Sequence, residues 1–283
     1  MSEQITPKNK LAWADGQKCF YLGGDLLPVL GGLWLLMIVL GSVVGYVLSL
    51  VNQTLLMFVV VVFTPIITVG AYNACHHARK QSEGGERVSF SHFFAGLKHQ
   101  TQALMTLGVI LLLLSLATES MTQLIFNVLG LEIIEDMAPA LQVKNAFIGQ
   151  MISFVVSFPV LVVALFSPQL IFFHNQTIGQ ALKGSYLGFL NAWRGLLMLL
   201  LMLVAITMVI MIIGTIISAL AAGLGIILIS GAIIILFSIN AFAQYFAFNK
   251  VFPIVDVDND SENNDENDQG IDSKSSNQFH TEI

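Results

Sequence analysis

The chain has 283 residues, 55% of them hydrophobic and only 11% charged. Soluble domains carry about 25% charged residues, and several uncharged runs here are long enough to cross a bilayer, so an ordinary soluble globular protein is excluded. The formal net charge of −6 averages two regions: residues 254–283 hold nine acids and one lysine, whereas residues 1–253 hold eleven bases and nine acids.

The first ten residues are polar and read as loose chain. Leu11 to Leu22 carries Trp13, Lys18, Phe20 and Tyr21, residue types that suit the headgroup layer, although Gly16 and Gln17 weaken the helical pattern. The apolar run after Asp25 is too long for a cleavable signal core and reads as a retained span. Asp25 is expected to cap it, with Pro28 in its first turn. The run extends over 26–51, and Gly41, Gly45 and Ser49 line one face with small residues. Packing inside the bundle is the expected use of that face, and a dimer contact is the alternative.

Asn52-Gln53 forms the turn to a second span, 54–72, which contains Pro65. Proline frees a carbonyl within a helix, and Thr64 and Thr68 are placed to re-satisfy the backbone. A hydrophilic stretch with His76, His77, Arg79 and Lys80 follows. Phe90, Phe93, Phe94 and Leu97 then fall at i, i+3, i+4 and i+7, an amphipathic helix suited to the interface.

Span three covers about 102–118 and is expected to end at Glu119. Residues 119–145 form the one sizeable loop on the far side, in which Met121 to Leu131 is apolar enough to dip into headgroups. Span four, 146–173, holds Pro159 and Pro168. Ile178, Ala181, Leu182, Tyr186, Phe189, Leu190 and Trp193 then share a helical stripe, the clearest interfacial helix in the chain. Residues 195–248 carry no charge over 54 positions. One helix of that length would measure roughly 81 Å against a hydrocarbon core of about 30 Å, so the chain must turn back. Residues 221–225 are the expected reversal, giving spans five and six at 195–220 and 226–248. The acidic tail 254–283 has the composition of disordered chain.

The expected fold is all-α: a polytopic transmembrane helical bundle of six spans with short interfacial amphipathic helices. It reads as a three-fold repeat of one unit, an interfacial segment, a span out and a span back. Phe63-Thr64-Pro65, Phe166-Ser167-Pro168 and Phe237-Ser238-Ile239 mark the returning spans. Pro65 to Pro168 is 103 residues and Pro168 to Ile239 is 71, an excess of 32 that the far-side loop of the middle unit absorbs. With six spans, both termini share a side. That side collects eleven of the twelve Lys and Arg residues, leaving only Lys144 opposite, so both termini are expected in the cytoplasm.

No span holds Asp, Glu, Lys or Arg at mid-depth, which lowers the expectation of ion-coupled transport. Cys19 and Cys75 fall at span ends on the cytoplasmic side, where a disulfide is not expected. His76, His77, His92 and His99 lie near the same face and read as solvated or headgroup-facing, with no metal or cofactor implied. Asp256, Asp258 and Asp260 begin a calcium-loop spacing that Ser261 and Asn267 then break. The remaining chemistry is a candidate polar notch on the returning spans: Thr64, Pro65, Thr68, Ser167, Pro168, Gln169, Ser238 and Asn240, extended by Asn73 and Gln244. Interhelical hydrogen bonding is the plainer reading of this set, and a small polar pocket the sharper one.

Trp13 through Phe20, Phe63-Thr64-Pro65 with Gly70, Phe94-Ala95-Gly96-Leu97, Gln180-Ala181-Leu182-Lys183-Gly184-Ser185 and Asn191-Ala192-Trp193 carry a resemblance. Over about 11–253 the chain resembles a family of uncharacterised bacterial inner-membrane proteins. More distantly it is similar to the membrane domain of some glycerophosphodiester phosphodiesterases, none of whose catalytic residues lie in that domain. The resemblance implies a polytopic membrane protein. The expected function is a non-enzymatic scaffold or accessory component of the inner membrane, in contact with lipid and with a membrane-protein partner or second copy; no nucleic-acid partner is expected. The alternative is a passive small-solute or lipid-handling transporter.

Overall fold

The computed structural model describes residues 5–82, 84, 87–130, 139–220 and 222–254. The chain forms two units, Met1–Phe252 and Pro253–Ile283, and every helix described belongs to the first. Residues 255–283 of the acidic tail, 131–138 of the expected far-side loop and Ala221 of the expected reversal lie outside the described residues.

Among the described residues the protein is all-helical. The elements are α1 (Trp13–Asp25), α2 (Leu27–Val51), α3 (Gln53–Ser82), a 3₁₀ turn (Phe90–Phe94) running into α4 (Ala95–Lys98), α5 (Thr101–Leu129), α6 (Pro139–His174), α7 (Ile178–Leu220) and α8 (Ala222–Val251). Six of these are long and apolar enough to cross a membrane, within 27–51, 53–81, 101–129, 144–174, 178–219 and 225–251.

Several boundaries differ from those read in the sequence. The segment judged weakly helical is a full helix, α1, because packing on α7 and α8 outweighs the propensity of Gly16. Asp25 does not cap α2. It is the last residue of α1, and Leu26 stands at the N-cap with no side-chain bond, while Pro28 does occupy the first turn. The turn after α2 is Asn52 alone, whose Oδ1 accepts the N–H groups of Thr54 and Leu55 at 2.8 and 3.1 Å. α3 continues ten residues past Tyr72. Glu119 does not end α5. It sits exposed mid-helix, and the helix closes at Gly130, whose φ of 62° is the left-handed conformation common after a helix.

The expected break between an interfacial helix and span five is absent. α7 runs unbroken for 43 residues. Its joint is nevertheless visible in the hydrogen bonds. The Leu11 N–H donates to the Asn191 carbonyl at 3.0 Å, and the Gly195 N–H donates to the Leu11 carbonyl at 3.2 Å. The backbone N–H and carbonyl of one residue of the N-terminal segment thus bridge positions i and i+4 of α7. Gly16 and Gly195 face each other there so closely that a Cβ on Gly16 would collide with the Gly195 carbonyl.

α6 is opened in the same way between its two prolines. The Ser185 hydroxyl accepts the Phe166 N–H at 2.9 Å and donates to the Val162 carbonyl at 2.8 Å. A side chain inserted into the i→i−4 ladder is a recognised cause of helix bending.

Three short segments dock on three long helices. The 3₁₀ turn and α4 pack on α3, where Gly70 lies against the Phe93 backbone. The first turns of α7 pack on α6 through Ser185. α1 packs on α8, where Gly23 lets backbones meet: a Cβ there would lie 2.6 Å from the Ile239 carbonyl oxygen. Between α3, α6 and α8 lies an aromatic core. Phe166, Phe242, Tyr245, Phe248 and Phe252 are fully buried, and Tyr72 stands edge-on to Tyr245 with centroids 6.0 Å apart.

α2 is the outlier. Trp34 holds it, with ring centroids 6.0 Å from Phe93 and 5.7 Å from Phe242. Most of its remaining length is exposed. The Gly41, Gly45 and Ser49 face does not provide the close packing expected inside the bundle: among the described residues nothing lies within 4 Å of a Cβ position at Gly41, and only Leu56 comes near Gly45, at 3.9 Å.

Candidate functional site

The polar residues picked out on the returning helices do not form one notch. On α3, the Thr64 hydroxyl donates to the Val60 carbonyl at 2.7 Å and the Thr68 hydroxyl to the Thr64 carbonyl at 2.8 Å. Neither reaches Val61, four residues before Pro65, whose carbonyl the proline leaves free. On α8, the Ser238 hydroxyl likewise turns back to the Ile234 carbonyl at 2.7 Å. Hydroxyls satisfied by their own helix are quiet in an apolar setting. Pro65, Pro168 and Ser167 are buried, and the Ser167 hydroxyl has no hydrogen-bond partner. Asn73 donates to the His92 carbonyl at 3.1 Å and so ties α3 to the 3₁₀ turn.

The amides behave differently, because their reach exceeds one turn of their own helix. Gln169 on α6 is fully buried; with Nε2 facing the carbonyls it donates to Phe166 and Leu165 at 3.0 and 3.2 Å. It also lies beside the Tyr72 hydroxyl of α3. The same hydroxyl donates to Gln244 Oε1 of α8 at 3.5 Å. Tyr72, Gln169 and Gln244 therefore form a polar node where three helices meet. One turn along, His76 Nδ1 lies 3.1 Å from the Tyr245 hydroxyl, and its ring stands 6.1 Å from that of Phe173.

Tyr72 and Tyr245 were invisible as polar groups in the sequence, since a tyrosine in an apolar run reads as ring. Nor is His76 headgroup-facing as expected, being engaged with the core. His77 stacks on His92 at 4.0 Å, and His92 Nδ1 accepts the Ser89 N–H at 3.0 Å. Among the described residues, no three His, Cys, Asp or Glu side chains are grouped to hold a metal ion.

On one side of the node a groove of about 230 Å³ opens between α6, α7 and α8. Phe154, Phe158 and Leu161 of α6 and Leu200 of α7 stand exposed at its rim, while Val162 and Leu199 are buried at its base. Phe158 and Phe189, both lining the groove, meet edge-on with centroids 5.6 Å apart. Asn240 and Gln244, one helical turn apart on α8, are the only polar side chains lining it among the described residues. Of the expected notch residues, Asn240 and Gln244 reach this groove. A second depression, along Thr101, Gln102, Met105, Thr106 and Val109, is lined by α5 alone and is a surface furrow.

Charges collect at the end where α8 and α1 meet. Lys250 pairs with Asp15, whose carboxylate also accepts the Ala12 N–H at 2.9 Å. The Lys250 hydrogen bond holds the Asp15 carboxyl below its ordinary value. Close by, burial pushes the Cys19 thiol up to about 11. Cys19 and Cys75 are both free and buried.

No protein-family model matches the chain, and no curated protein or solved structure matches it significantly.

Proposed function

We propose that the protein is a multi-pass membrane protein of the bacterial inner membrane, with six spans and both termini in the cytoplasm, acting as a non-enzymatic scaffold or accessory component. The six apolar helices support the bilayer setting. The gathering of eleven of twelve basic residues on one side supports the orientation. The resemblance to bacterial inner-membrane proteins implies the same setting.

A three-unit organisation is part of the proposal. Each short segment docks on the returning helix of the unit before it: the Phe90–Lys98 segment on α3, the start of α7 on α6, and α1 on α8, which closes the ring. The observation that carries the function is what fills the centre of that ring. Tyr72, Phe166, Tyr245 and Phe248, drawn from α3, α6 and α8, pack ring against ring. A solute crossing along this axis would have to displace packed aromatics in a close-packed interior. Full-length protein in proteoliposomes is expected to leave entrapped glycerol and potassium as well retained as in protein-free liposomes. A faster leak of either contradicts the reading. The unused small-residue face of α2 supports the scaffold role, since it leaves room for a partner helix or a second copy.

A second reading, handling of a lipid, is favoured by the groove between α6, α7 and α8. It opens sideways, where hydrocarbon would lie, and its walls are apolar.

A further inference from the structure

We infer that this groove binds an uncharged lipid bearing a carbonyl group, held by the side-chain amides of Asn240 and Gln244. The inference rests on the lipid-handling reading and names its ligand.

The donors come first. Asn240 makes no hydrogen bond to any described residue, and Gln244 uses only its Oε1, toward Tyr72. At 1.5 Å per residue, Gln244 lies roughly 9 Å and Asn240 roughly 15 Å along α8 from Lys250. That depth is hydrocarbon if Lys250 marks the headgroup level. An amide left unpaired there is costly, and its N–H groups call for an acceptor that hydrocarbon does not contain. A ligand carbonyl supplies one. The i, i+4 spacing turns both amides to the same face, so one carbonyl can be approached by both.

Charge decides what the ligand cannot be. Among the described residues no charged side chain lines the groove, and the nearest basic group on α8, Lys250, is already paired with Asp15. A phosphate brought to the amides would lose its hydration with no cation to replace it. Size sets the rest. A cavity of about 150 Å³ admits benzene, so the 230 Å³ here holds one ring or a short length of chain. The open side leaves the remainder of the tail in the surrounding hydrocarbon. The ester of a neutral glycerolipid and the ring carbonyl of an isoprenoid quinone share this chemistry.

The test uses full-length protein in phosphatidylcholine nanodiscs doped with a diacylglycerol carrying a diazirine in its acyl chain. Phosphatidylglycerol with the same diazirine chain serves as the anionic comparison. The diacylglycerol is expected to label peptides containing Val162 and Leu199 well above the phosphatidylglycerol. Labelling should fall roughly ten-fold in Asn240→Leu/Gln244→Leu, the loss expected for two hydrogen bonds. It should also fall in Leu200→Trp, which fills the groove and leaves the amides intact. Unlabelled dioctanoylglycerol and decylubiquinone, added separately, identify the source by which of them displaces the probe. Equal labelling by the two probes, unchanged labelling in the amide variant, or displacement by neither competitor overturns the inference while leaving a groove for lipid tails. If neither probe labels the groove above Val43 of α2, the lipid-handling reading falls as well.

Discussion

Ser185 stands inside the backbone of another helix: its hydroxyl accepts a hydrogen bond from the Phe166 N–H at 2.9 Å and donates one to the Val162 carbonyl at 2.8 Å. The bond that α6 would make with itself is replaced by one running through α7. Ser185→Ala is therefore expected to destabilise the folded protein by about 1–2 kcal/mol, less than a full unsatisfied pair because the ladder can partly reclose. Ser185→Val, too large to permit that reclosure, should cost more. Unfolding titrations in mixed micelles measure both. Equal stability of Ser185→Ala and the parent protein would mean that the insertion has no energetic role.

The Gly16–Gly195 contact makes a parallel prediction for α1. Adding a Cβ at Gly16 drives it into a carbonyl on a second backbone, and neither backbone can yield without separating α1 from α7. Gly16→Ala should cost about 1–3 kcal/mol. Gly41→Ala, where nothing lies within 4 Å, should be neutral or stabilise by up to about 1 kcal/mol through helix propensity. Thermal unfolding of the two variants side by side tests the contrast.

Asp15 gives a pH signature. Its carboxyl is held below its ordinary value of 3.8, chiefly by the Lys250 hydrogen bond. A depressed folded-state pKa means the contribution is fully present above the unfolded value and is lost as pH falls through the folded value. Thermal stability of the parent protein should therefore decline below about pH 4 more steeply than that of Lys250→Met. Both partners are partly exposed, so the effect is small and shrinks further with salt.

Cys19 and Cys75 should both resist maleimide at neutral pH while the protein is folded, since both are buried and burial pushes the Cys19 thiol up to about 11. Both should label after denaturation in SDS. Rapid labelling of Cys19 in the folded protein would show that α1 does not stay docked on α8.

Helix number and approximate extent were legible in the sequence because uncharged runs of this length have few other uses. Pro28 in the first turn of α2 was legible from its place just inside an apolar run, whereas the single helix expected over Phe90 to Leu97 is a 3₁₀ turn followed by one turn of α-helix. What could not be read was anything depending on contact between distant parts of the chain. Gly16 and Gln17 look like interruptions until Gly195 supplies the reason for a glycine. Ile178 to Trp193 looks like a separate helix because its stripe ends at Arg194, yet α7 runs on past it, with the Leu11 backbone bonded to Asn191 and Gly195 at the joint. The candidate site shows the same divide. Thr64, Thr68 and Ser238 drew notice for their polarity and are spent on their own helices. Asn240 and Gln244 face the groove, and Gln169 meets Tyr72. Only rotation about each helix separates these outcomes, and in a run apolar on all sides the pattern does not reveal rotation.

The most direct test of the account is the side of the membrane on which the α5–α6 connection lies. A fusion truncated after Gly130 should give active alkaline phosphatase and dark green fluorescent protein, and a full-length fusion at the C-terminus should give the reverse. Fluorescence at Gly130, or phosphatase activity at the C-terminus, would contradict the six-span layout and the groove placed within it.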